Sequence, residues 1–421
     1  MIEKFNFHWR KDFFYNFPKK RALFHELARE IGSKQIVSVI GLRRTGKTTI
    51  LKQLIDHLIK SGKAEREHIL FYSFDEEQPR IEELLQEFEA RLGKELLEMK
   101  GRAFVFLDEI QKLENWQNQV KYYYDHYKNI KFFISGSSSL FIQKHARESL
   151  AGRIYEFELK PLNFKEFLEF RGKKDLLEKK GLFQETLKKE FSAFQKRQFI
   201  ETVNENEERI AKYCKSLIEK IVFQDIPKTF PIERETLLLK ILNIVASNPG
   251  MLSDYGSMSR ELGTNRVTLS NYFHYLKESF LLKKTYNFSK NKLTSEKKMK
   301  KFYLTTPSFF PYLNNSISES KLVENMIVTA TDAKFFWRTP QKYEVDLVLS
   351  KGKEILPVEV KYKEHIQEKD SKNLQRFCKK FNCKKATMVT KNKTGKKTLK
   401  PKNGKKLQIE FIPAWKFLLE L

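Results

Sequence analysis

The stretch Gln35-Ile-Val-Ser-Val-Ile40-Gly41-Leu-Arg-Arg-Thr-Gly46-Lys47-Thr48-Thr49 decides the fold of the first part of this chain. The apolar run Gln35–Ile40 predicts a buried strand, and the residues from Lys47 to about Ser61 predict a helix. Between them, Gly41 to Thr48 fits the pattern GxxxxGK[ST] in full. Loops of this kind surround a phosphate with backbone N–H groups, and the helix N-terminus adds its dipole. The stretch therefore predicts a phosphate-binding loop.

The residue types in this loop predict how a nucleotide is held. Lys47 is expected to reach the β- and γ-phosphates of ATP, and Thr48 to offer its hydroxyl to Mg²⁺. ATP and Mg²⁺ are therefore the predicted cofactors. The predicted nucleotide contacts are Gly41, Arg44, Thr45, Gly46, Lys47, Thr48 and Thr49.

Two further strand ends carry polar side chains suited to the same site. The run Phe104–Leu107 ends in Asp108 and Glu109. Asp108 suits support of Mg²⁺, and Glu109 is placed to orient or deprotonate the attacking water. The alternative is a strand with a solvated acidic end. The strand Lys131–Ser135 ends in several small polar residues, one of which is predicted to sense the γ-phosphate; Ser137 is the first choice, although hydroxyl-rich strand ends are also ordinary turns.

Strands and helices alternate through the first 160 residues. A lead-in helix is predicted at Lys19–Ile31. Further strand-like runs occur at His68–Ser73, Ala103–Leu107, Lys131–Ser135 and Ile154–Leu159, with helical stretches between them. This alternation is typical of a parallel α/β sheet.

An arginine precedes the last of these strands. Arg153 is placed to stabilise phosphoryl charge in a neighbouring subunit, a role worth roughly 10³–10⁵ in rate. Arg147 is a competing choice for this role, and a plain surface arginine fits the pattern as well. The first two alternatives imply a homo-oligomer.

Composition points to a polyanionic partner. The chain has 80 basic and 53 acidic residues, a net charge of +27. Such a field makes nucleic acid the expected partner, unless the lysines serve solubility or heat tolerance. Three cysteines without a CxxC pair indicate a reducing compartment. No secretory signal and no long apolar run is present, so a cytoplasmic location without membrane contact is expected.

Four runs taken together resemble a known family. GLRRTGKTT, LDEIQKLENWQNQVKYYYD, SGSSS and AGRIYEFELKPLNFKEF, in this order, are similar to the AAA-type ATPases of archaea and many bacteria that carry a C-terminal domain of unknown function. The resemblance covers nearly the whole chain. It implies an α/β fold with an ASCE-type P-loop ATPase domain at 1–160, a helical lid at 161–235, a winged helix at 236–310 and a restriction-endonuclease-like domain at 318–421. Roles across that family are mostly unsettled.

Residues 258–277 read as helix, glycine turn and recognition helix. Val267, Leu269, Phe273 and Leu276 are expected to face the core, which leaves Arg266, Thr268, Ser270, Asn271 and Tyr275 outward. Such polar side chains suit phosphates and base edges in a DNA major groove, with the basic hairpin Lys283–Lys301 as the wing. The alternative is a rigid spacer or a surface for protein partners.

A second acidic constellation lies near the C-terminus. Glu344–Ser350 and Ile355–Lys361 predict a hairpin, and side chains two apart on a strand share a face. Glu359 and Lys361 therefore point together, with Asp346 on the partner strand. Two carboxylates holding Mg²⁺ beside a lysine would polarise a phosphodiester. The arrangement resembles the PD-(D/E)XK nuclease core, in which Glu324 is the expected fourth member.

The predicted function is ATP hydrolysis coupled to the binding, and the remodelling or cleavage, of DNA. The lysine-rich, acid-free segment 391–406 is either a grip on the phosphate backbone or a solvated loop. Many nuclease-like domains only bind nucleic acid or partners. The alternative is therefore a nucleotide-gated switch for protein partners with an inert nuclease-like scaffold. Charge alone does not distinguish DNA from RNA.

Overall fold

Five apolar runs near the N-terminus form one parallel sheet. Its strands are β1 (Ile36–Ile40), β2 (Ile69–Ser73), β3 (Ala103–Asp108), β4 (Ile130–Gly136) and β5 (Ile154–Glu158). Their order is β2-β3-β4-β1-β5, and every neighbouring pair is parallel. Strands β2, β3 and β4 are buried along their whole length, as strands covered on both faces must be. The predicted parallel α/β sheet is confirmed.

The computed structural model describes residues 1–137, 149–178, 182–291, 293, 295, 299–352, 354–399 and 406–421. The chain divides into two compact units, Met1–Pro161 and Leu162–Leu421. The main helices of the first unit are α1 (Leu23–Arg29), α2 (Lys47–Lys60), α3 (Ile81–Leu92) and α4 (Trp116–His126). Among the described helices of the whole chain, none is long and apolar enough to cross a lipid bilayer.

Alternation along the strands places a core on each face of this sheet. Phe104 and Phe106 of β3 pack in one cluster with the apolar side of α2. Val105 and Leu107 point the other way, into a cluster with α3 and α4. Because residues two apart share a face, one strand supplies both cores. The strand ends, and the loops that follow them, are thereby held in a fixed layer.

The lead-in helix is shorter than predicted. Helix α1 covers Leu23–Arg29 and passes into a 3₁₀ turn at Glu30–Gly32. The prediction that it starts at Lys19 is wrong. The Gln53 side chain in α2 donates to the carbonyls of Phe17 and Lys19 at 2.9 Å each, which holds this stretch in a non-helical conformation.

The second unit begins with a run of helices, in the stretch for which a helical lid is predicted. Its helices are α5 (Phe164–Phe170), α6 (Asp175–Glu178), α7 (Gln184–Phe194), α8 (Glu207–Lys220), α9 (Ile226–Thr229) and α10 (Glu235–Ser247), with a π-helical turn at Ile221–Asp225. Helix α5 starts at a capping box in which Asn163 and Glu166 satisfy each other's backbone N–H groups. Buried phenylalanines, such as Phe164 and Phe194, form the core between α5 and α7.

The rest of the second unit is built on one mixed sheet of nine strands, in the order β13-β14-β12-β11-β10-β9-β7-β8-β6. The strands are β6 (Met251–Leu252), β7 (Leu282–Asn287), β8 (Lys300–Leu304), β9 (Phe335–Arg338), β10 (Glu344–Lys351), β11 (Glu354–Lys361), β12 (Lys385–Thr390), β13 (Gly395–Leu399) and β14 (Leu407–Pro413). The helices are α11 (Tyr255–Glu261), α12 (Arg266–Glu278), α13 (Phe310–Leu313), α14 (Glu319–Ala330), α15 (Lys372–Phe381) and α16 (Ala414–Glu420).

One pairing joins the two halves of this sheet. Strand β7 pairs in parallel with β9, with Tyr286 opposite Phe335. The predicted hairpins are both present, as β7–β8 and β10–β11. The strands of the predicted winged helix and of the predicted nuclease-like domain therefore share one hydrogen-bonded sheet. The boundaries at 161–235, 236–310 and 318–421 stay predictions.

Helix α12, the predicted recognition helix, differs from expectation at two positions. Leu269, Phe273 and Leu276 are buried as predicted, but Val267 is 70% exposed, so its core placement is wrong. Tyr275 is half-buried, because its ring stacks on Phe230 at 4.2 Å between centroids. The expected outward residues Arg266 and Asn271 are exposed, and Thr268 and Ser270 are partly so.

The lysine-rich segment is not a free loop over its described part. Residues Gly395–Leu399 form β13, antiparallel to β14. Lys396 lies 3.3 Å from Glu410 on the neighbouring strand. Lys391 lies 2.7 Å from Glu364, and Lys397 pairs with Glu368. The segment contains no acid of its own, but acids elsewhere neutralise part of its charge; residues 400–405 lie outside the described part.

Candidate nucleotide site and a second acidic cluster

The loop between β1 and α2 depends on glycines at both ends. Gly41 has φ +146° and Gly46 has φ +98°, conformations that side-chain-bearing residues rarely adopt. A Cβ atom on Gly41 would lie 2.4 Å from the carbonyl oxygen of Leu159. Gly46 is the N-cap of α2, so the N–H groups of the first turn face the loop. The sequence pattern and the backbone conformation agree here.

Side chains of the loop are held by its own backbone. Lys47 Nζ donates to the carbonyls of Gly41 at 3.0 Å and Leu42 at 3.1 Å. Thr45 Oγ1 donates to Leu42 O at 2.8 Å. Arg44 is exposed with φ +67°, and Thr49 is half-buried in the first turn of α2. All seven predicted nucleotide contacts therefore lie in this loop or in the helical turn that follows it.

Asp108 joins three elements of the unit. Its Oδ2 accepts a hydrogen bond of 2.7 Å from the Thr48 hydroxyl of α2, and its Oδ1 accepts one from the Ser135 hydroxyl of β4. The residue is 2% exposed. Burial and the charge of Glu109 raise the pKa of this carboxyl, whereas the Ser135 and Thr48 hydroxyls act in the opposite direction. A cation beside Asp108 would favour its charged form.

Glu109 sits in a second network beside the first. Its Oε2 accepts hydrogen bonds from Ser137 Oγ at 2.9 Å and from Gln111 Nε2 at 2.6 Å. Gln111 Nε2 also lies 3.3 Å from Ser137 Oγ. The backbone of Glu109 is left-handed, with φ +52°, a strained conformation that is common at functional sites. The structure thus brings Glu109 and Ser137 together, next to Asp108.

These residues fit a magnesium–nucleotide complex. The Thr48 hydroxyl and the Asp108 carboxylate are oxygen donors, and Mg²⁺ binds through one or two such groups together with phosphates and water. The ion would supply charge neutralisation on the phosphates. Lys47, held by loop carbonyls, could neutralise the phosphates, and the Glu109 carboxylate, next in the chain to Asp108, could act as the base.

Arg153 lies at the end of the sheet where the strands begin, whereas the phosphate loop lies at the end where they finish. It precedes β5, and its carbonyl accepts a hydrogen bond from Ile36 N, at the start of β1, whereas the loop follows the end of β1. Its guanidinium forms a two-pronged ion pair with Asp125, at 2.8 and 3.1 Å. Arg153 therefore does not meet the other predicted site residues within its own chain. Arg147, its competitor, lies outside the described residues.

The second acidic cluster lies on β10, β11 and α14. Leu347 pairs with Val358, and Asp346 and Glu359 are the next residues along these two strands. Asp346 Oδ2 accepts a hydrogen bond of 2.8 Å from Val360 N. Lys361 Nζ lies 2.6 Å from Glu359 Oε1, and Glu359 Oε2 is buried without a hydrogen-bond partner.

Glu324 reaches this cluster from helix α14. It accepts a hydrogen bond of 3.2 Å from the buried Tyr303 hydroxyl of β8, and it lies 2.9 Å from Lys321 Nζ. Burial, and then the charge of Asp346, raise the pKa of Glu324. The same two causes raise the pKa of Glu359 to about 8. All four predicted residues are therefore coupled electrostatically.

The negative charge of the cluster, which disfavours the charged form of the carboxyls, favours the charged form of Lys361. Burial opposes the ammonium form of Lys361, but the Asp346 and Glu359 carboxylates outweigh it and raise the pKa. Among the residues that the structure describes, no group of three or more His, Cys, Asp or Glu side chains is arranged to hold a metal ion. A metal here would rest on fewer protein ligands. Asp346 and Glu359 are the candidate ligands for such a metal, and the Glu359 oxygen without a hydrogen-bond partner could bind it.

Several site residues were not found from the sequence. Ser135 and Gln111 hold the two acids, and Tyr303 holds Glu324, as described above. Arg21 binds the carbonyl of Thr45 in the loop at 2.9 Å. Gln111 and Ser135 lie beside recognised motifs, which is a usable signal. Arg21 lies in the stretch predicted as the lead-in helix, and neither that pattern nor the sequence around Tyr303 points to a site.

Fold and site together define a P-loop nucleotide-binding domain of the AAA type. Residues 33–168 match the family model described as an AAA domain. Residues 200–320 match a domain of unknown function (DUF8612), and residues 316–413 match another (DUF4143). The AAA-type domain implied by the resemblance is thus confirmed. The lid, the winged helix and the restriction-endonuclease-like fold stay predictions, because the descriptions of the two matched domains name neither a fold nor a function.

The chain is also similar to proteins of archaea and bacteria. Uncharacterized protein MJ1544 of Methanocaldococcus jannaschii is 26% identical over 432 residues, covering 95% of this chain and 92% of that one. An uncharacterized protein of Haemophilus influenzae is 26% identical over 251 residues, covering 58% of this chain and 61% of that one.

Some solved structures show a distant likeness to this chain. Cdc6p of Pyrobaculum aerophilum has a TM-score of 0.31 and 14% identity, covering 76% of this chain and 97% of its own. AMPPCP-bound DnaA of Aquifex aeolicus has a TM-score of 0.27 and 16% identity, covering 61% and 86%. Likeness at this level carries no argument about function.

Proposed function

We propose that this chain is a Mg²⁺-dependent ATPase. The observation that carries the proposal is the convergence of Lys47, Thr48, Asp108 and Glu109 at the carboxyl edge of one parallel sheet. Thr48 and Asp108 hold the metal, and Lys47 neutralises the phosphates. Glu109, held by Ser137 and Gln111, orients or deprotonates the attacking water.

We further propose that hydrolysis is coupled to DNA bound by the second unit and leads to its remodelling or cleavage. The net charge of +27 supports a polyanionic partner. The exposed Arg266 and Asn271 of α12 are suited to phosphates and base edges. The acidic cluster around Asp346, Glu359 and Lys361 has the donor types that a metal-assisted phosphodiesterase needs.

A second candidate function has its own support. Asp346 is already engaged by a backbone N–H group, and Glu359 has a raised pKa, so this cluster also suits a stable buried carboxyl pair without metal. The lysines of 391–399 are partly neutralised by Glu364, Glu368 and Glu410. The chain would then be a nucleotide-gated switch that binds protein partners, with the nuclease-like part as a scaffold.

An ATPase assay on the full chain distinguishes these proposals. Phosphate release is measured without nucleic acid and with single-stranded, duplex and branched DNA, and with RNA of matched sequence. Coupling to DNA predicts that stimulation falls steeply as the salt concentration rises. Each neutralised phosphate contributes about 0.9 to the slope of the logarithm of the DNA-binding constant against the logarithm of the salt concentration. Stimulation by RNA alone would replace DNA as the partner, and no stimulation by either would favour the switch.

Lys47→Ala is the matched control for contaminating ATPases. It removes the ammonium group that faces the phosphates and leaves the glycines of the loop in place. Turnover in this variant equal to the wild type would contradict the ATPase proposal itself.

A further inference from the structure

A buried arginine connects the phosphate loop with the end of the first unit. Arg21 is 5% exposed. Its Nη1 donates to Thr45 O at 2.9 Å, and its Nη2 donates to Lys160 O at 2.7 Å and Pro161 O at 3.3 Å. Thr45 is the fifth residue of the loop. Pro161 is the last residue of the first unit, and the next residue begins the second.

A direct backbone contact joins the same two segments. Leu159 N donates to Ile40 O at 2.8 Å, immediately before the loop. The carbonyl of Leu159 lies so close to Gly41 that a Cβ atom there would be 2.4 Å away. The loop is therefore held against Leu159–Pro161 at its first residue by packing, and at its fifth residue through Arg21.

The chemistry of arginine suits this position. The guanidinium presents five N–H donors in a rigid planar fork, so that one group binds acceptors on two chain segments at once. Buried carbonyl oxygens without a donor are costly, and a lysine offers only a point charge on a flexible stem. The hydrogen bonds to Thr45 and Lys160 thus depend on the fork geometry as well as on the charge.

We propose that Arg21 is the positioning residue that transmits the nucleotide state of the phosphate loop to Leu159–Pro161, and so along the chain to the second unit. Backbone N–H groups of the loop turn toward a bound phosphate, and the Thr45 carbonyl, part of the same backbone, turns with them. Arg21 passes this displacement to Lys160 and Pro161. The inference rests on the proposed function, because it needs a nucleotide at the loop.

Amide hydrogen exchange on the full chain tests the inference. Exchange is followed by mass spectrometry with and without Mg²⁺ and ADP or a non-hydrolysable ATP analogue, in peptides covering 41–49 and 159–163. In the wild type, nucleotide should slow exchange in both peptides. In Arg21→Lys, protection of 41–49 should remain, while the protection gained by 159–163 should fall about tenfold, the effect of losing one charge-assisted hydrogen bond.

Arg66→Lys is the matched control. Arg66 Nη1 also binds two backbone carbonyls, those of His8 at 3.0 Å and Phe13 at 2.6 Å, but neither lies in the loop. This variant should keep nucleotide-dependent protection in both peptides. An equal loss of coupling in Arg66→Lys would overturn the inference, because it would make the effect a general one of weakening the lead-in segment.

The remaining outcomes are distinct. Full protection of both peptides in Arg21→Lys overturns the inference and leaves the ATP site intact. A wild type with the loop protected and 159–163 unchanged overturns it as well, and this result does not depend on the variant folding. A wild type without protection of the loop contradicts the proposed nucleotide site, and the inference fails with it.

Discussion

The Thr48 hydroxyl donates a 2.7 Å hydrogen bond to Asp108 Oδ2, which joins the first turn of α2 to the end of β3. Sixty positions separate the two residues in the chain. They meet because β1 and β3 run parallel, so that the turns after both strands lie at the same edge of the sheet. Ser135, at the end of β4, donates a hydrogen bond to the other oxygen of the same carboxylate.

Replacing Thr48 with Val should impair the use of Mg²⁺-ATP and leave metal-free nucleotide binding nearly unchanged. Val keeps the β-branched shape but removes the hydroxyl, so Asp108 loses a donor and Mg²⁺ loses a ligand. Turnover of Mg²⁺-ATP should fall at least about tenfold, as expected for losing a hydrogen bond to a charged group. Titration with ADP in EDTA, where no metal is bound, should give nearly unchanged affinity. Unchanged turnover would remove Thr48 from the metal site.

Glu109→Gln should bind ATP without hydrolysing it. The amide still occupies the position next to Ser137 and Gln111, but it cannot take a proton from water. Hydrolysis should fall by roughly 10²-fold or more, the range of a lost general base. Glu114→Gln, at an exposed position close by, is the control and should remain active. Normal turnover in Glu109→Gln, measured as phosphate release, would reject this role.

Arg153→Ala tests whether Arg153 acts as an arginine finger, a side chain that stabilises phosphoryl charge in a neighbouring subunit, or only forms a surface ion pair. Arg153 and its partner Asp125 are both about one-third exposed, so the pair contributes at most about 1 kcal/mol to stability. A finger predicts a large loss of turnover in Arg153→Ala, of roughly 10³-fold. Asp125→Asn should then remain active, because it frees the arginine without removing it.

Concentration dependence supplies the second measurement for Arg153. If subunits complete each other's sites, wild-type turnover per chain should rise with protein concentration as oligomers form. A fully active Arg153→Ala would contradict the finger. Equal and small losses of stability in both variants, with unchanged turnover, would leave the ion pair as the whole role of this arginine.

Asp346→Asn and Lys361→Met should abolish any Mg²⁺-dependent DNA cleavage and leave ATP hydrolysis unchanged. The first removes a negative charge from the cluster at nearly constant volume, and the second removes the ammonium group that lies 2.6 Å from Glu359. Lys363→Met is the matched control, because Lys363 pairs with Asp370 instead. Gel assays on labelled DNA measure the outcome.

Two results would contradict this prediction. Cleavage that persists in both variants would come from a contaminating nuclease. Wild-type protein that cuts none of the DNA forms tested, in the presence of Mg²⁺, would favour the scaffold function for this part of the chain.

Lys131 should make stability depend on pH. Burial at the start of β4 lowers the pKa of its ammonium group from 10.5 to about 7. Between these two values the unfolded chain binds more protons than the folded chain, so stability should rise with pH across this interval. Below about pH 7 both states are charged, and the folded chain carries the full cost of the buried charge. Lys131→Met should lack this slope.

The thermal unfolding midpoint at a series of pH values checks the sign. Lys131 Nζ donates to Ser33 Oγ at 2.9 Å and to Gln35 O, so the variant also loses two hydrogen bonds, and the slope of the midpoint with pH is compared, not its absolute value. The exposed Lys128, three residues earlier, provides Lys128→Met as the control. An identical pH slope in wild type and Lys131→Met would contradict the prediction.

Residues that interact within a short stretch of this chain could be predicted from the sequence, and most contacts between distant stretches could not. The strand, loop and helix from β1 to α2 could be predicted because all their determinants are contiguous: β-branched residues, glycines at the turns, and a lysine and threonine at the helix start. The hairpin β10–β11 was found for the same reason, since period-two alternation placed Glu359 and Lys361 on one face.

Two predictions from local patterns were wrong because contacts with other segments of the chain decided the structure. Helical spacing predicts that Val267 faces the core, but Val267 is exposed and Tyr272 is buried instead, with its hydroxyl accepting from the backbone N–H groups of Glu233 and Arg234. The lysine-rich segment looked like a loop, yet pairing with β14 made part of it a strand.

By itself, the sequence determined that this chain holds a phosphate-binding loop, an acid-ended strand and a second carboxylate hairpin, because short-range geometry places those side chains. Only the tertiary structure decided that Arg21 ties the loop to Pro161, that Tyr303 of β8 reaches Glu324, and that β7 pairs with β9. These contacts join residues far apart in the chain, and their energy comes from hydrogen bonds made in a buried environment that exists only after the unit holding them has folded.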